Sequence, residues 1–414
     1  MQDSGLRIRI AATVGNTLEW FDFAVYGYFA RDIGEAFFPK GDAAVHLVEA
    51  FAVFALGYLM RPLGALVLGP VGDLVGRKTM LITSVMVMAI ASLLIGLLPP
   101  HASWGIWSAY ALLLLRMAQG FSVGGEYTGS ITYLVESSPS QRRGLHASFT
   151  GAGAIAGFVL GALSAALVNQ SLPPSAVAAW GWRIPFLLGA GLGGLAIWLR
   201  EGIPEAFHPV AAVPLLTHLK AVVQQWRAIL RVMAIIALVD VSFYLLFVYL
   251  VQYAISQQPQ HAALYSAITT INEAIGVPII VLGGWLADRR GALATMRRWN
   301  WTLVVVVIPA MLLMQQATTF GVAAGQLIAL IPVMLILGCY PALLPGLFGN
   351  TTRCTGFSIG YSLTVALLGG TAPLVAAWLL GELHWSWGPG LYAALWGIPS
   401  LWALKGLSKH WQST

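Results

Sequence analysis

Long apolar runs alternate along this chain with short polar breaks, and most runs approach the ~20 residues that an α-helix needs to cross a bilayer. The pattern predicts helices near residues 10–30, 46–70, 79–98, 104–135, 147–168 and 182–199. Beyond a longer polar stretch it predicts six more, near 228–253, 262–286, 299–316, 322–345, 355–380 and 389–405. A polar outer loop is expected after the first helix, carrying Arg31, Asp32, Glu35, Lys40 and Asp42, and another at 169–182. The fold class is therefore an all-α membrane protein of twelve transmembrane helices. Pro204, Pro209, Pro214 and several basic groups mark residues 203–227 as a cytoplasmic linker between six-helix bundles at 1–202 and 228–414.

One break organises the rest. Gly69-x-x-x-Asp73-x-x-Gly76-Arg77-Lys78 joins two apolar runs as a turn too short for a domain, and its Asp and Arg offer a breakable charge contact at the membrane edge. It returns about half the chain later as Gly284-Trp-Leu-Ala-Asp288-Arg289-Arg290-Gly291. Such a repeat implies two pseudo-symmetric halves, the parallel-repeat plan of many secondary transporters, with a substrate site near the bilayer midplane.

Composition sharpens the picture. The chain is 58% hydrophobic and 9% charged, against roughly 25% charged in a soluble domain. With a mean hydropathy of +0.77, no sizeable soluble domain fits. The net charge of +6 does not point to nucleic acid, because most Lys and Arg fall in segments on one side. They include Arg7, Arg9, Arg77, Lys78, Arg142, Arg143, Arg200, Arg231, Arg289, Arg290, Arg353 and Lys409. By the positive-inside bias that side is cytoplasmic, as are both termini, in a bacterial-type inner membrane. Cys339 and Cys354 give neither a disulfide nor a metal pattern, and the eight histidines fall in loops or at helix ends without ligand spacing. No Ser/His/Asp set or phosphate loop suggests an enzyme or a cofactor. Tryptophans such as Trp104, Trp107, Trp182, Trp385 and Trp387 fit an aromatic belt.

Several motifs together carry a resemblance: Gly15-Asn16-Thr-Leu-Glu19-Trp20-Phe21-Asp22-Phe23, Arg61-Pro62-Leu-Gly64, the Gly69–Lys78 turn, Arg116-x-x-Gln119-Gly120-Phe-Ser-x-Gly-Gly-Glu126, Trp180-Gly-Trp182-Arg183-Ile-Pro185-Phe186 and Gly369-Gly370-Thr371-Ala-Pro373. In this order they resemble the metabolite:proton symporter family of the major facilitator superfamily, which includes citrate, α-ketoglutarate, shikimate and proline/betaine permeases. The resemblance implies a monomeric carrier in membrane lipid whose partners are a small solute and protons. It departs from the family at Leu74, where a basic residue is usual, and in lacking the C-terminal coiled coil of osmosensing betaine members. Helix 5 has no proline of the kind frequent in antiporters. The reading is proton-coupled import of a small organic acid or zwitterionic metabolite; the alternatives are a proton-driven exporter of a related metabolite or toxin, or an amino-acid or betaine permease.

Ionisable groups inside the membrane each require an account, since a charge at the bilayer centre costs roughly 2.5–3.5 kcal/mol on insertion scales. On helix 1 the 3.6-residue period groups Asn16, Glu19, Asp22 and Tyr26 on one face. Two carboxylates one turn apart repel, so one is expected to hold and release a proton; either also fits a pair with an arginine of a neighbouring helix. On helix 4, Arg116, Gln119, Glu126, Tyr127 and Ser130 align. Arg116 lies too far along the helix from Glu126 for a direct pair, so its partner is expected on another helix or in the solute. Arg116 would hold a carboxylate, and Glu19, Asp22 or Glu126 would carry the proton. In the second half, Asp240 aligns with Phe243, Tyr244 and Phe247, and Thr269, Asn272, Glu273 and Gly276 share a face. Either acid would receive a cationic group of the solute, or a proton. These buried acids are counted against two buried arginines, Arg61 and Arg116. Asp73, Arg77, Glu136, Arg143, Asp288 and Arg289, near inner helix ends, are expected to gate. The Gly153-x-x-x-Gly157-x-x-x-Gly161 stripe is expected to pack helices closely.

Overall fold

The structure, a computed structural model, describes residues 2–38, 53, 55–208 and 213–407. The expected start of the second helix near residue 46, with Lys40, Asp42, His46, Pro209, Lys409 and His410, lies outside the described residues. Twelve long segments follow the apolar runs: α1 Gln2–Tyr28, α2 Ala55–Leu74, α3 Arg77–Leu97, α4 Ile106–Glu136, α5 Arg143–Ser171 and α6 Arg183–Glu201. Then come α7 Trp226–Gln257, α8 Ala262–Arg290, α9 Ala292–Gln315, α10 Thr319–Cys339, α11 Arg353–Gly381 and α12, built of Gly388–Leu395 and Gly397–Lys405. Among the described residues, α2 to α11 are each long and apolar enough to span a membrane. Five charged residues, Asp3, Arg7, Arg9, Glu19 and Asp22, set α1 apart, and a break at Trp396 interrupts α12.

Two expected loops are helical. Residues after α1 form a short helix, Ala30–Phe37, because Ala30, Ile33 and Phe37 recur at helical spacing and bury one face. Phe37 packs edge-on against Trp182, 5.8 Å between ring centres. Trp182 is thus fully buried rather than part of an aromatic belt. The linker holds a helix too, Leu215–Gln224, with His218 and Val222 buried.

The chain folds into two compact units. One is Met1–Tyr133 with Gly153–Ala212, and the other is Leu134–Ala152 with Val213–Thr414. The adjoining ends of α4 and α5 therefore belong with α7 to α12. Within each unit the same kind of helix pair meets through glycine, where dispersion contacts between backbones replace the hydrophobic force that lipid removes. In the first, α2 meets α4: a Cβ at Gly64 would overlap the Phe121 carbonyl, and one at Gly120 the Gly57 carbonyl. In the second, α8 meets α10, with Gly283 against the Leu335 carbonyl and Gly338 against that of Ile280. The Gly153/Gly157/Gly161 stripe of α5 lies against Thr13, Thr17 and Ala24 of α1, and Thr17 Oγ1 donates to the Gly153 carbonyl at 3.1 Å.

Both hinge turns rely on glycine for the same backbone reason. Gly76 has φ +147° and Gly291 φ +83°, conformations that L side chains rarely adopt, and each begins the next helix.

Candidate functional site

In the first unit a chain of polar contacts joins three helices. Asp22 of α1 is fully buried, and its Oδ2 accepts hydrogen bonds from Ser92 Oγ of α3 and, at 3.2 Å, from Gln119 Nε2 of α4. Gln119 Nε2 also donates to Ser92 Oγ at 2.9 Å, while its Oε1 accepts from Arg116 Nη1 at 2.6 Å. The Arg116 guanidinium also lies 4.2 Å from the Tyr26 ring centre and 4.8 Å from that of Phe23, both of α1. The hydrogen bond from Arg116 to Gln119 runs within its own helix, one turn on. An amide at that position can receive from a cation with its oxygen and donate to a carboxylate with its nitrogen. Gln119 therefore bridges Asp22 and Arg116.

Glu19, one turn from Asp22, faces a different set. It is 1% exposed, and neither of its oxygens has a hydrogen-bond partner among the described residues. Arg61 lies over Trp20 and Tyr58, at 5.3 and 5.4 Å. The two helix-1 carboxylates, equivalent by spacing, are therefore chemically distinct.

Glu126 is bound by a residue the sequence assigned elsewhere. Arg200, near the end of α6, was expected on the cytoplasmic face but is fully buried. It donates to both oxygens of Glu126, to the Leu81 carbonyl at 2.6 Å and to the Ala11 carbonyl at 3.3 Å. Gly15 of α1 makes the room, since a Cβ there would overlap the guanidinium and lie 2.6 Å from Glu126 Oε1. Arg77 is buried as well, so among the described residues four arginines are buried rather than two. Tyr127, next to Glu126, is buried, as is Asn16, whose Nδ2 donates to the Ala12 carbonyl at 3.0 Å.

The second unit differs in sign. Among the described residues, its buried Asp, Glu, Lys and Arg side chains are two acids, Asp240 and Glu273, while the buried His218 shares a hydrogen bond with Thr355 Oγ1 at 2.9 Å. The first unit sets Arg61, Arg77, Arg116 and Arg200 against Glu19, Asp22, Asp73 and Glu126. On α7, Asp240 precedes a π-helical segment, Tyr244–Tyr249. A second π segment, Val365–Gly369 in α11, brings Gly369 against the Tyr244 ring, with its Cβ position 2.7 Å from Tyr244 Cε2 and 3.5 Å from Asp240 Oδ2. On α8, Asn272 Nδ2 donates to Gln326 Oε1 at 2.9 Å, and Gln326 Nε2 donates to Thr269 Oγ1 at 3.0 Å and to the Leu246 carbonyl at 3.2 Å. Gln326 and the π segments carried no periodic signal. Gly369 was visible only as part of a motif.

Arg77 Nη1 donates to Asp73 Oδ1 at 2.5 Å and to the Gly72 carbonyl at 2.6 Å, so this pair stays within its own turn. The turn is held by Glu205, a residue the sequence did not single out. Its Oε1 accepts from the Arg77 N–H at 2.8 Å, and its Oε2 accepts from the Lys78 N–H at 3.1 Å, at the helix terminus where a carboxylate is favoured. Asp288 accepts from the Gly144 and Leu145 N–H groups, both at 2.7 Å, at the start of α5. Glu136 accepts from Arg353 Nη1 at 2.8 Å. Arg143 is half-buried, and Arg289 lies over the Trp285 ring at 5.5 Å. Arg183 caps α3, donating to the Gly96 and Leu98 carbonyls.

The model of the family described as "Sugar (and other) transporter" matches residues 8–208. The "Proline/betaine transporter" of Salmonella typhimurium is 34% identical over 92% of this chain and 79% of the relative. The chain belongs to the metabolite:proton symporter family of the major facilitator superfamily. An "Ectoine/proline transporter" of Corynebacterium glutamicum is 36% identical over 92% of this chain and 79% of its own. The fold is that of a solved proton:xylose symporter, with a TM-score of 0.74 at 17% identity over 97% of this chain and 96% of the other. The protein is therefore an integral membrane protein and a secondary active transporter, not an enzyme.

Proposed function

We propose that this carrier imports a small zwitterionic metabolite, a carboxylate with a secondary or quaternary ammonium group, by proton-coupled alternating access. It works as a monomer in the inner membrane with both termini in the cytoplasm. The observation that carries the reading is the division of buried charge. Arg116 is an arginine whose hydrogen bond to Gln119 a solute carboxylate would replace with a stronger, charge-assisted one. Among the described residues, the second unit buries Asp240 and Glu273 and no Lys or Arg, so a positive group of the solute would find a counter-charge there and a second anionic group would not. The relatives named for proline, betaine and ectoine support the zwitterion over the organic acid that the sequence weighed first.

Asp22 is the proposed proton carrier. Its Oδ2 is held by Ser92 and Gln119, and a proton there replaces the amide's acceptor, which frees Gln119 to release Arg116 toward the solute. Glu19, buried with no hydrogen-bond partner among the described residues, is a second site for a proton. Glu126 is assigned to structure by its bond to Arg200. The test is uptake of glycine betaine and proline by proteoliposomes under an imposed pH gradient. Accumulation under an inward proton gradient supports symport, and accumulation only under an outward gradient overturns it in favour of exchange. Asp22→Asn is expected to exchange solute across the membrane and to lose concentration of it; a variant that still concentrates solute removes Asp22 from coupling.

A further inference from the structure

Asp240 and Glu273 are both candidates for the positive end of a zwitterion, and their surroundings separate them. The residues adjoining Glu273 on α8, Thr269 and Asn272, are engaged with the Gln326 amide, an arrangement of polar donors and acceptors. Asp240 instead heads a row of rings. Phe243, Tyr244 and Phe247 follow it by three, four and seven residues, which on a helix is one face. Phe243 stacks on Phe247 with 5.2 Å between ring centres and meets Tyr244 edge-on at 5.9 Å. Phe243 and Tyr244 stay partly exposed, whereas Phe247 beneath them is buried.

The backbone at this row is irregular on both sides. The π-helical segment Tyr244–Tyr249 begins within the row, and the π-helical segment Val365–Gly369 of α11 ends against it. Such wide turns cost regular hydrogen bonding and recur at functional sites in membrane helices. At Gly369 the absence of a side chain lets the Tyr244 ring and the Asp240 carboxylate share one small space. From Val232 to Gln257, Asp240 is the sole charged residue of α7.

We propose that Asp240, with the faces of Phe243 and Tyr244 and Phe247 behind them, seats an N-alkylated ammonium group, and that this seat sets the carrier's preference for methylated over unmethylated amino acids. This deepens the reading above, on which it rests. A primary ammonium carries three N–H donors that each require an acceptor once water is gone. A quaternary ammonium has none, and needs only a counter-charge and polarisable faces, which a carboxylate and aromatic rings supply. The row matches the second need.

The test is equilibrium binding to the purified full-length carrier in detergent, by calorimetry, using glycine, sarcosine, dimethylglycine, glycine betaine and proline. Affinity is expected to rise with each methyl group, by at least tenfold from glycine to glycine betaine. Phe243→Leu, which keeps apolar volume but removes the ring, should flatten that rise, so that glycine betaine gains less than threefold over glycine. Asp240→Asn should weaken glycine betaine and proline alike by 30-fold or more, and Asp240→Glu, which restores the charge, should recover most of the loss while reporting that the fold persists. The proposal is overturned if affinity is flat across the series, if Phe243→Leu leaves the rise intact, if Asp240→Asn binds betaine like the wild type, or if the wild type binds none of the probes. Failure of symport is read separately: betaine bound with this ranking but not driven by a proton gradient refutes the coupling and leaves the seat standing.

Discussion

Removing Arg200 should be among the most damaging single changes in the first unit. The Arg200→Met substitution keeps much of the side chain's length and apolar stem but takes the charge from a fully buried site. Glu126 would lose both hydrogen bonds from the guanidinium and retain Ser130 Oγ, at 3.3 Å, as its remaining donor. Leaving one member of a buried pair uncompensated costs about 3–5 kcal/mol. Glu126→Gln should cost less, because Arg200 keeps the carbonyls of Leu81 and Ala11. The double variant Glu126→Gln/Arg200→Met removes the charges together and should return to within about 1–2 kcal/mol of the wild type, since matched replacement of a buried pair is often near neutral. Denaturant unfolding of the four proteins in the same detergent gives the coupling by a double-mutant cycle. Losses that simply add, or single variants within about 0.5 kcal/mol of the wild type, would refute the account of a desolvated pair. The same double variant should still accumulate solute under a proton gradient; a well-folded double variant that cannot would return Glu126 to proton coupling.

Other expectations follow from the same geometry. Gly15→Ala should destabilise the first unit by about 1–3 kcal/mol, measured by thermal unfolding, because the new methyl overlaps the Arg200 guanidinium. Gln119→Leu breaks the link between Asp22 and Arg116, so solute binding should become independent of pH in the range where the wild type responds, as read by affinity against pH. Asp288→Asn halves the charge-assisted acceptance of the Gly144 and Leu145 N–H groups; a loss of about 1–2 kcal/mol should raise the reactivity of a cysteine placed at Ser148 toward a maleimide roughly tenfold. Burial pushes the Asp32 carboxyl up, with Glu35 adding to it. A raised acid pKa stabilises the fold below the usual carboxylate range and costs stability as pH rises through the folded value, so Asp32→Asn should raise the melting temperature slightly at pH 7.5, with the gain shrinking toward pH 4.

The apolar runs determined the number, order and approximate ends of the helices, because bilayer thickness sets a length that a one-dimensional pattern can meet on its own. The repeated turn was equally legible, since Gly76 and Gly291 answer a local demand for positive φ. The 3.6-residue period also placed Asp22 with Tyr26, Arg116 with Gln119 and Asp240 with its rings, because residues on one helix face are neighbours by construction. Which buried charge meets which was decided only by the tertiary structure. Arg200 and Glu126 are 74 positions apart, Gln119 and Asp22 97, and Glu205 and Arg77 128, and nothing in the spacing of either partner names the other. Arg200 looked cytoplasmic because positive charge near a helix end ordinarily snorkels to water. Packing of α6 against α1 and α4, through the gap left by Gly15, gave it a carboxylate instead.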